Sequence, residues 1–238
     1  MKSIKRLCLL GFFAVLSVQS ANAQYGMSSD AGMSLSIGAG NYLLSQQVLK
    51  SASKGASYGG TTRRPSLSKA ALDTVRFAPT GSTAGLDTLV SFYPEQQRSQ
   101  MRQMYQQLHS AYPQVARQIG VPTNDVASGL ASFLAGSYMA YNNKNLSNDH
   151  VKPLADQFRK ALASSGDIGR VSNADKQKLY DVMVMLSMLM ATTQVQMQTN
   201  PDPQLMAQMR LLGKGFLEGL LKVDADRVRI SSAGLRVD

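Results

Sequence analysis

The sequence predicts an all-α protein: a bundle of about five helices around one central apolar helix, preceded by a flexible segment. Three observations predict it. From Leu179 to Met197 the chain reads L-Y-D-V-M-V-M-L-S-M-L-M-A-T-T-Q-V-Q-M, without Gly or Pro, and its leucines and methionines are good helix formers. On both sides of it, apolar residues recur at three- and four-residue steps, which marks helices with one wet face. The alternation that strands need is weak, and no fixed-period repeat suggests a solenoid.

The chain opens with a basic head, Lys2, Lys5 and Arg6, then an apolar run from Leu7 to Val18 and the small-residue pattern Ala21-Asn22-Ala23. That is the layout of a secretory signal peptide, residues 1–23, with cleavage expected after Ala23. The one cysteine, Cys8, falls inside it, so the exported chain is expected to hold no disulfide and no thiolate site. Residues 24–92 are rich in Ser, Gly, Ala and Thr and offer little to bury, so they read as a mostly flexible segment. Within them Leu43, Leu44, Val48 and Leu49 suit one short helix that docks later, and Val75 and Phe77 suit a brief extended contact.

The helical domain is expected over residues 93–238. The first helix follows Tyr93-Pro94-Glu95 and carries Met101, Met104, Tyr105, Leu108, Tyr112, Val115 and Ile119 on its apolar side. Pro113 is expected to break or kink it. The second starts at Thr123-Asn124-Asp125, which supplies capping oxygens, and small residues (Gly129, Ala131, Ala135, Gly136) invite a close neighbour. The third runs from Asn148 or Asp149 to Ala163. The central helix begins near Ser172 and Asp175, a hydroxyl cap and an acid at the positive end of the dipole, and stops before Pro201 and Pro203. A membrane span is the rival reading of this stretch. Asp181 near its start and Thr192, Thr193, Gln194 and Gln196 near its end leave too short an apolar run, so no transmembrane segment is expected in the exported chain. The fifth helix, from Pro203 to Leu221, buries Leu205, Met209, Leu212, Phe216, Leu217 and Leu220, with Gly215 and Gly219 suited to close approach. The last residues read as a short extended tail.

Chemistry-bearing patterns are sparse. Loss of Lys2, Lys5 and Arg6 with the leader takes the net charge from +10 to +7, without a dense basic block or a basic motif interleaved with aromatics. Weak binding of polyanions is therefore the partner class that charge permits. The glutamates are Glu95 and Glu218, far apart, which does not suggest a glycosidase pair. His109 and His150 lie on different helices without metal-ligand spacing, and neither a nucleophile elbow nor a phosphate loop is present. No cofactor, metal site or catalytic residue is expected. The methionines Met183, Met185, Met188, Met190, Met206 and Met209 admit three readings: cuprous ligands, core packing, or a groove for a partner helix. They are spread around the helix and have no histidine nearby, so packing or a partner surface is expected.

Three stretches carry a resemblance: P-T-N-D-V-A-S-G-L-A-S-F-L-A-G-S-Y, V-S-N-A-D-K-Q-K-L-Y-D-V-M-V-M-L and V-D-A-D-R-V-R-I-S-S-A-G-L. From about residue 123 to 235 the chain resembles a family of exported bacterial proteins known only as a domain of unknown function. The resemblance implies an all-α exported domain and supplies no activity. The expectation is a periplasmic or secreted, non-enzymatic protein that meets a protein partner or a second copy of itself. Binding of an anionic envelope component is the alternative, and an active site assembled only in the fold would require a pocket holding two carboxylates, or His109 beside an acid and a hydroxyl.

Overall fold

The computed structural model describes residues 67–238, together with Tyr42, Leu43, Gln46 and Leu49. Residues 1–23, Leu44 and Val48 lie outside the described residues. Seven helices are described: α1 (Lys69–Asp73), α2 (Ala84–Ser91), α3 (Glu95–Gln118), α4 (Val126–Asn142), α5 (Val151–Ser165), α6 (Asn173–Thr199) and α7 (Pro203–Leu221). Two short strands, β1 (Val228–Ser231) and β2 (Gly234–Val237), close the chain as an antiparallel hairpin. The protein is thus mostly helical, an all-α bundle.

The local signals act as their chemistry predicts. Asp125 caps α4 by accepting the Ser128 N–H at 2.9 Å, and Ser172 caps α6 by accepting the Asp175 N–H at 3.1 Å. Asp202 caps α7 through the N–H groups of Gln204 and Leu205, with Pro203 in the first turn where a missing N–H costs nothing. Gly166 ends α5 at φ 72°.

Pro113 does not break α3, which runs unbroken from Glu95 to Gln118. Its ring lies on the exposed face, where water can take up the carbonyl that its missing N–H leaves. Tyr112 and Ala116, buried on either side of it, hold both halves to the core.

The centre is a pair of helices rather than one. α4 touches α5, α6 and α7, and α6 packs against α4 on one side and against α2 and α3 on the other. Every residue of α4 from Val126 to Ser137 is buried. Small residues make this possible. A Cβ on Gly129 would sit 2.9 Å from the Tyr180 ring, and one on Gly136 would sit 3.1 Å from the Ser187 carbonyl oxygen. α7 approaches α4 in the same way, but at Gly213, where a Cβ would fall 2.5 Å from the Ser137 carbonyl oxygen. Gly215, expected to make that approach, faces open space, and Gly219 is only partly buried. Two residues along a helix rotate a side chain by more than half a turn, so only one of these glycines can face α4.

The folded part extends ahead of residue 93. Leu86, Leu89 and Val90 on α2 are core residues, and so are Leu43 and Leu49. The extended contact at Val75 and Phe77 exists: Phe77 N–H donates to Asn124 O and Val126 N–H to Val75 O, beside a bridge between Arg76 and Asp125. The extended tail is a paired hairpin. Val228, Ile230 and Leu235 face inward, and the Gln157 amide both donates to Leu235 O and accepts from Leu235 N.

Candidate functional site

Asp181 is the one acid inside the apolar stretch of α6, and it is buried there. Its Oδ1 lies 2.8 Å from Nε2 of His109 on α3, whose side chain is 45 % exposed. α2 crosses above this pair at Gly85, where a Cβ would fall 2.7 Å from the Asp181 Cβ. A buried carboxylate that orients a half-exposed imidazole leaves Nδ1 to meet solvent or a ligand. This is the acid–histidine half of the arrangement that the sequence alone could not assemble. The signal that pointed to it was Asp181 itself, an acidic side chain in a run of leucines and methionines. Among the described residues no contact identifies a hydroxyl as a third member, and the pair links α3 to α6 beneath α2.

The other buried polar groups also fasten elements together. Asp125 is fully buried; besides capping α4 it accepts from Nε of Arg159 on α5 at 3.1 Å, and Arg159 Nη1 reaches Asp156 at 2.9 Å. Lys176 extends from α6 to the Thr74 carbonyl at 2.7 Å, and its burial holds its pKa below the usual lysine range. Gln194 donates to Asn143 Oδ1 at the far end of the same helix. Ser187 of α6 donates to the Ser132 carbonyl of α4 at 2.7 Å, while the Ser132 hydroxyl bonds Tyr112 of α3 at 2.9 Å. Burial pushes the hydroxyls of Tyr93 and Tyr112 up to about 12 and drives Tyr105 and Tyr180 well above the ordinary tyrosine value. At the C-terminal end Tyr141 donates to Asp226, which raises the Tyr141 pKa, and the Arg210 guanidinium lies over the Tyr141 ring at 5.4 Å.

The methionines divide. Met183, Met185, Met188, Met190 and Met209 are no more than 3 % exposed. The partner surface expected on them is therefore not open in this structure: all five belong to the core, and Met183 and Met190 lie against Gly129 and Gly136 of α4. Met206 alone of the six is partly exposed. Among the described residues no group of three His, Cys, Asp or Glu side chains is placed to hold a metal ion. His109 and His150 stand apart, on α3 and at the start of α5. Glu218 accepts the Ala225 N–H at 3.2 Å and lies 3.7 Å from Lys214, both structural contacts. No helix among the described residues is long and apolar enough to cross a membrane.

Leu211 is 72 % exposed and is the large hydrophobic side chain that the described residues leave in water. Ala207 and Gly215, one turn to each side of it, are exposed as well.

Comparison with curated proteins and with solved structures gives no match. A family model matches residues 5–238, reaching well ahead of the stretches that carried the resemblance. The chain belongs to that family, a family of unknown function designated DUF6683.

Proposed function

We propose that this is an exported, non-enzymatic protein that works through contacts of its helical surface with another protein of the cell envelope or with a copy of itself. The observation that carries the reading is the outer face of α7, where Leu211 stands 72 % exposed beside Ala207 and Gly215. A single exposed leucine is common on folded proteins, but as the large hydrophobic side chain that the described residues leave in water it makes this face the place to look for a contact. The buried polar groups support the same reading, because each one named above ties two elements together and so stiffens a surface that others can read. The export half rests on the leader pattern ending at Ala23.

The test has two arms. The full chain is expressed, and its N-terminus and location are determined by mass spectrometry and fractionation; a chain beginning at Gln24 outside the cytoplasm is expected. Crosslinking in intact cells should then trap a discrete complex that Leu211→Asp weakens. An uncleaved cytoplasmic protein, or a crosslink pattern with no discrete complex, refutes the reading.

A second reading is binding of an anionic envelope component. It is favoured by the hairpin, where Arg229 and Arg236 pair directly across the strands on the exposed side. Like charges facing each other are unfavourable unless an anion sits between them. Asp238 meets Arg229 at 3.0 Å and offsets part of that charge. Binding of anionic vesicles or polysaccharide that falls steeply with salt and is lost in Arg229→Gln/Arg236→Gln supports it; binding indifferent to salt sinks it.

A further inference from the structure

We propose that the outer face of the β1–β2 hairpin is a site for the carboxylates of an acidic polysaccharide, and that Asp238 occupies it until such a ligand displaces it. This rests on the second reading above, and it names the ligand class and the residue that controls access. Val228, Ile230 and Leu235 turn inward, which leaves the other side of the strands to Arg229 and Arg236, both exposed. The register sets these two directly opposite each other, with Cβ atoms about 5 Å apart. Arg227, the residue before β1, is exposed as well.

Guanidinium groups collected on one small face repel each other, and the chain answers them with a carboxylate. Asp238 follows β2, and its N–H donates to the Arg227 carbonyl at 3.0 Å, which extends the ladder by one step. Its side-chain Oδ2 lies 3.0 Å from Nε of Arg229, and its main-chain oxygen accepts from Nε of Arg227. Arg229 Nη1 also donates to the carbonyls of Asp226 and Val228, at 2.6 and 3.0 Å, which holds this guanidinium along its strand. The neighbouring acids are engaged elsewhere: Asp226 accepts from the Tyr141 hydroxyl, and Asp224 accepts the Asp226 N–H at 3.0 Å. Among the described residues the Arg236 side chain has no partner. Three positive charges therefore meet one negative charge, and a carboxylate is already seated against Arg229.

The seated group says what the site takes. A guanidinium presents a planar fork that matches the two oxygens of a carboxylate. The side chains of Arg229 and Asp238 are 52 % and 62 % exposed. A pair so open to water is held weakly, so a carboxylate from outside exchanges with it at little cost. The incoming ligand also gives Arg236 the partner that Asp238 does not. The face suits a polymer better than a bilayer. Arg227 and Arg229 run along one chain and Arg236 along the other, a row that repeated carboxylates can follow. Among the described residues the large exposed hydrophobic is Leu211 on α7, so the hairpin offers no such side chain to enter a lipid surface.

The test uses the full chain and immobilised polygalacturonate at low salt, with phosphatidylglycerol vesicles as the second probe. Wild type should bind the polymer more tightly than the vesicles, and binding should fall steeply with salt. Asp238→Asn removes the seated carboxylate and should bind about two- to fivefold more tightly; Asp238→Glu should match wild type. Glu95→Gln makes the same change of charge at the start of α3, which packs on α2 and α6, and should gain less. Arg236→Gln should weaken binding with either residue at 238. A gain in Asp238→Asn no larger than that in Glu95→Gln overturns the proposal, because net charge alone then accounts for it. Binding that is lost in Arg229→Gln/Arg236→Gln but indifferent to residue 238 also overturns it and leaves the anion-binding reading standing, as does binding of vesicles without the polymer. If none of these proteins binds either probe, the reading and the proposal fall together.

Discussion

Two glycines on α7, two residues apart, should respond in opposite directions to the same substitution. Replacing Gly by Ala in a helix interior gains about 1 kcal/mol of propensity wherever the methyl has room. At Gly215 it has room, since nothing lies within 4 Å of the new Cβ. Gly215→Ala should therefore stabilise the protein by about 0.5–1 kcal/mol. At Gly213 the same methyl would lie 2.5 Å from Ser137 O and 2.8 Å from Tyr141 N, both backbone atoms of α4. Neither can swing away as a side chain would, so α7 must back off by about 0.9 Å to reach ordinary contact, loosening Leu212, Phe216 and Leu217 where they meet the core. Overpacking of this kind costs about 1–3 kcal/mol. Allowing for the propensity gain, Gly213→Ala should destabilise by roughly 0–2 kcal/mol, and because that gain is common to both variants they should differ by the overpacking cost, about 1–3 kcal/mol. In a domain of this size that separates their melting temperatures by roughly 2–12 °C. Urea unfolding followed by circular dichroism measures both. Equal shifts for the two variants would refute the claim that α7 is seated on α4 by the absence of a side chain at residue 213.

The other expectations concern buried polar groups and methionines. Asp125→Asn keeps a capping oxygen but leaves the Arg159 guanidinium without its buried charge, at a cost of about 2–4 kcal/mol in urea unfolding; Asp156→Asn, at the more exposed end of the same network, should cost less than about 1 kcal/mol. Equal effects would remove the distinction. Met185→Ala should cost about 2–4 kcal/mol and the partly exposed Met206→Ala less than about 1 kcal/mol; a copper-dependent shift in the wild-type melting temperature would speak for the cuprous reading instead. The buried tyrosines give a pH signature. Their folded pKa values are raised, Tyr93 and Tyr112 to about 12, so their contribution is whole below the unfolded value of about 10. It is lost as pH rises from there through about 12. Phenolate absorbance and loss of helix should rise together across that window, and phenolate appearing near pH 10 with the helices intact would contradict the burial.

The parts of the fold legible in the sequence are those set by nearest neighbours along the chain. Ser172, Asp125 and Asp202 announce three helix starts because capping needs a side chain only two or three residues from its donor. The span of α7 from Pro203 to Leu221 follows from a proline at one end and the loss of apolar periodicity at the other. The parts that were not legible depend on contacts between distant segments. Residues 84–91 look like linker by composition, yet Gly85 is what lets α2 settle over Asp181, a use of glycine that composition cannot tell from flexibility. The hairpin was visible as an extended stretch, but its pairing depends on Gln157, which fastens one edge of β2 from α5. His109 and Asp181 are 72 residues apart, and no local pattern joins them.

The same distinction bears on where function resides. Residues that resemble chemistry in the sequence, five of the six singled-out methionines, are absorbed by the interior, as are Asp125 and Asp181. Asp181 holds α3, Asp125 holds α5, and the methionines fill what the small residues of α4 leave open. A buried charge is costly unless it is paired, so each pair also fixes the register of the helices that carry it: a one-turn slip of α3 along α6 would strand Asp181, and a slip of α5 along α4 would strand Asp125. The bundle thereby presents its outer faces in one arrangement. A lone leucine between two small residues would be an ordinary surface feature on a bundle free to slide. On helices locked by buried pairs it is a fixed relief, the same on every copy of the protein.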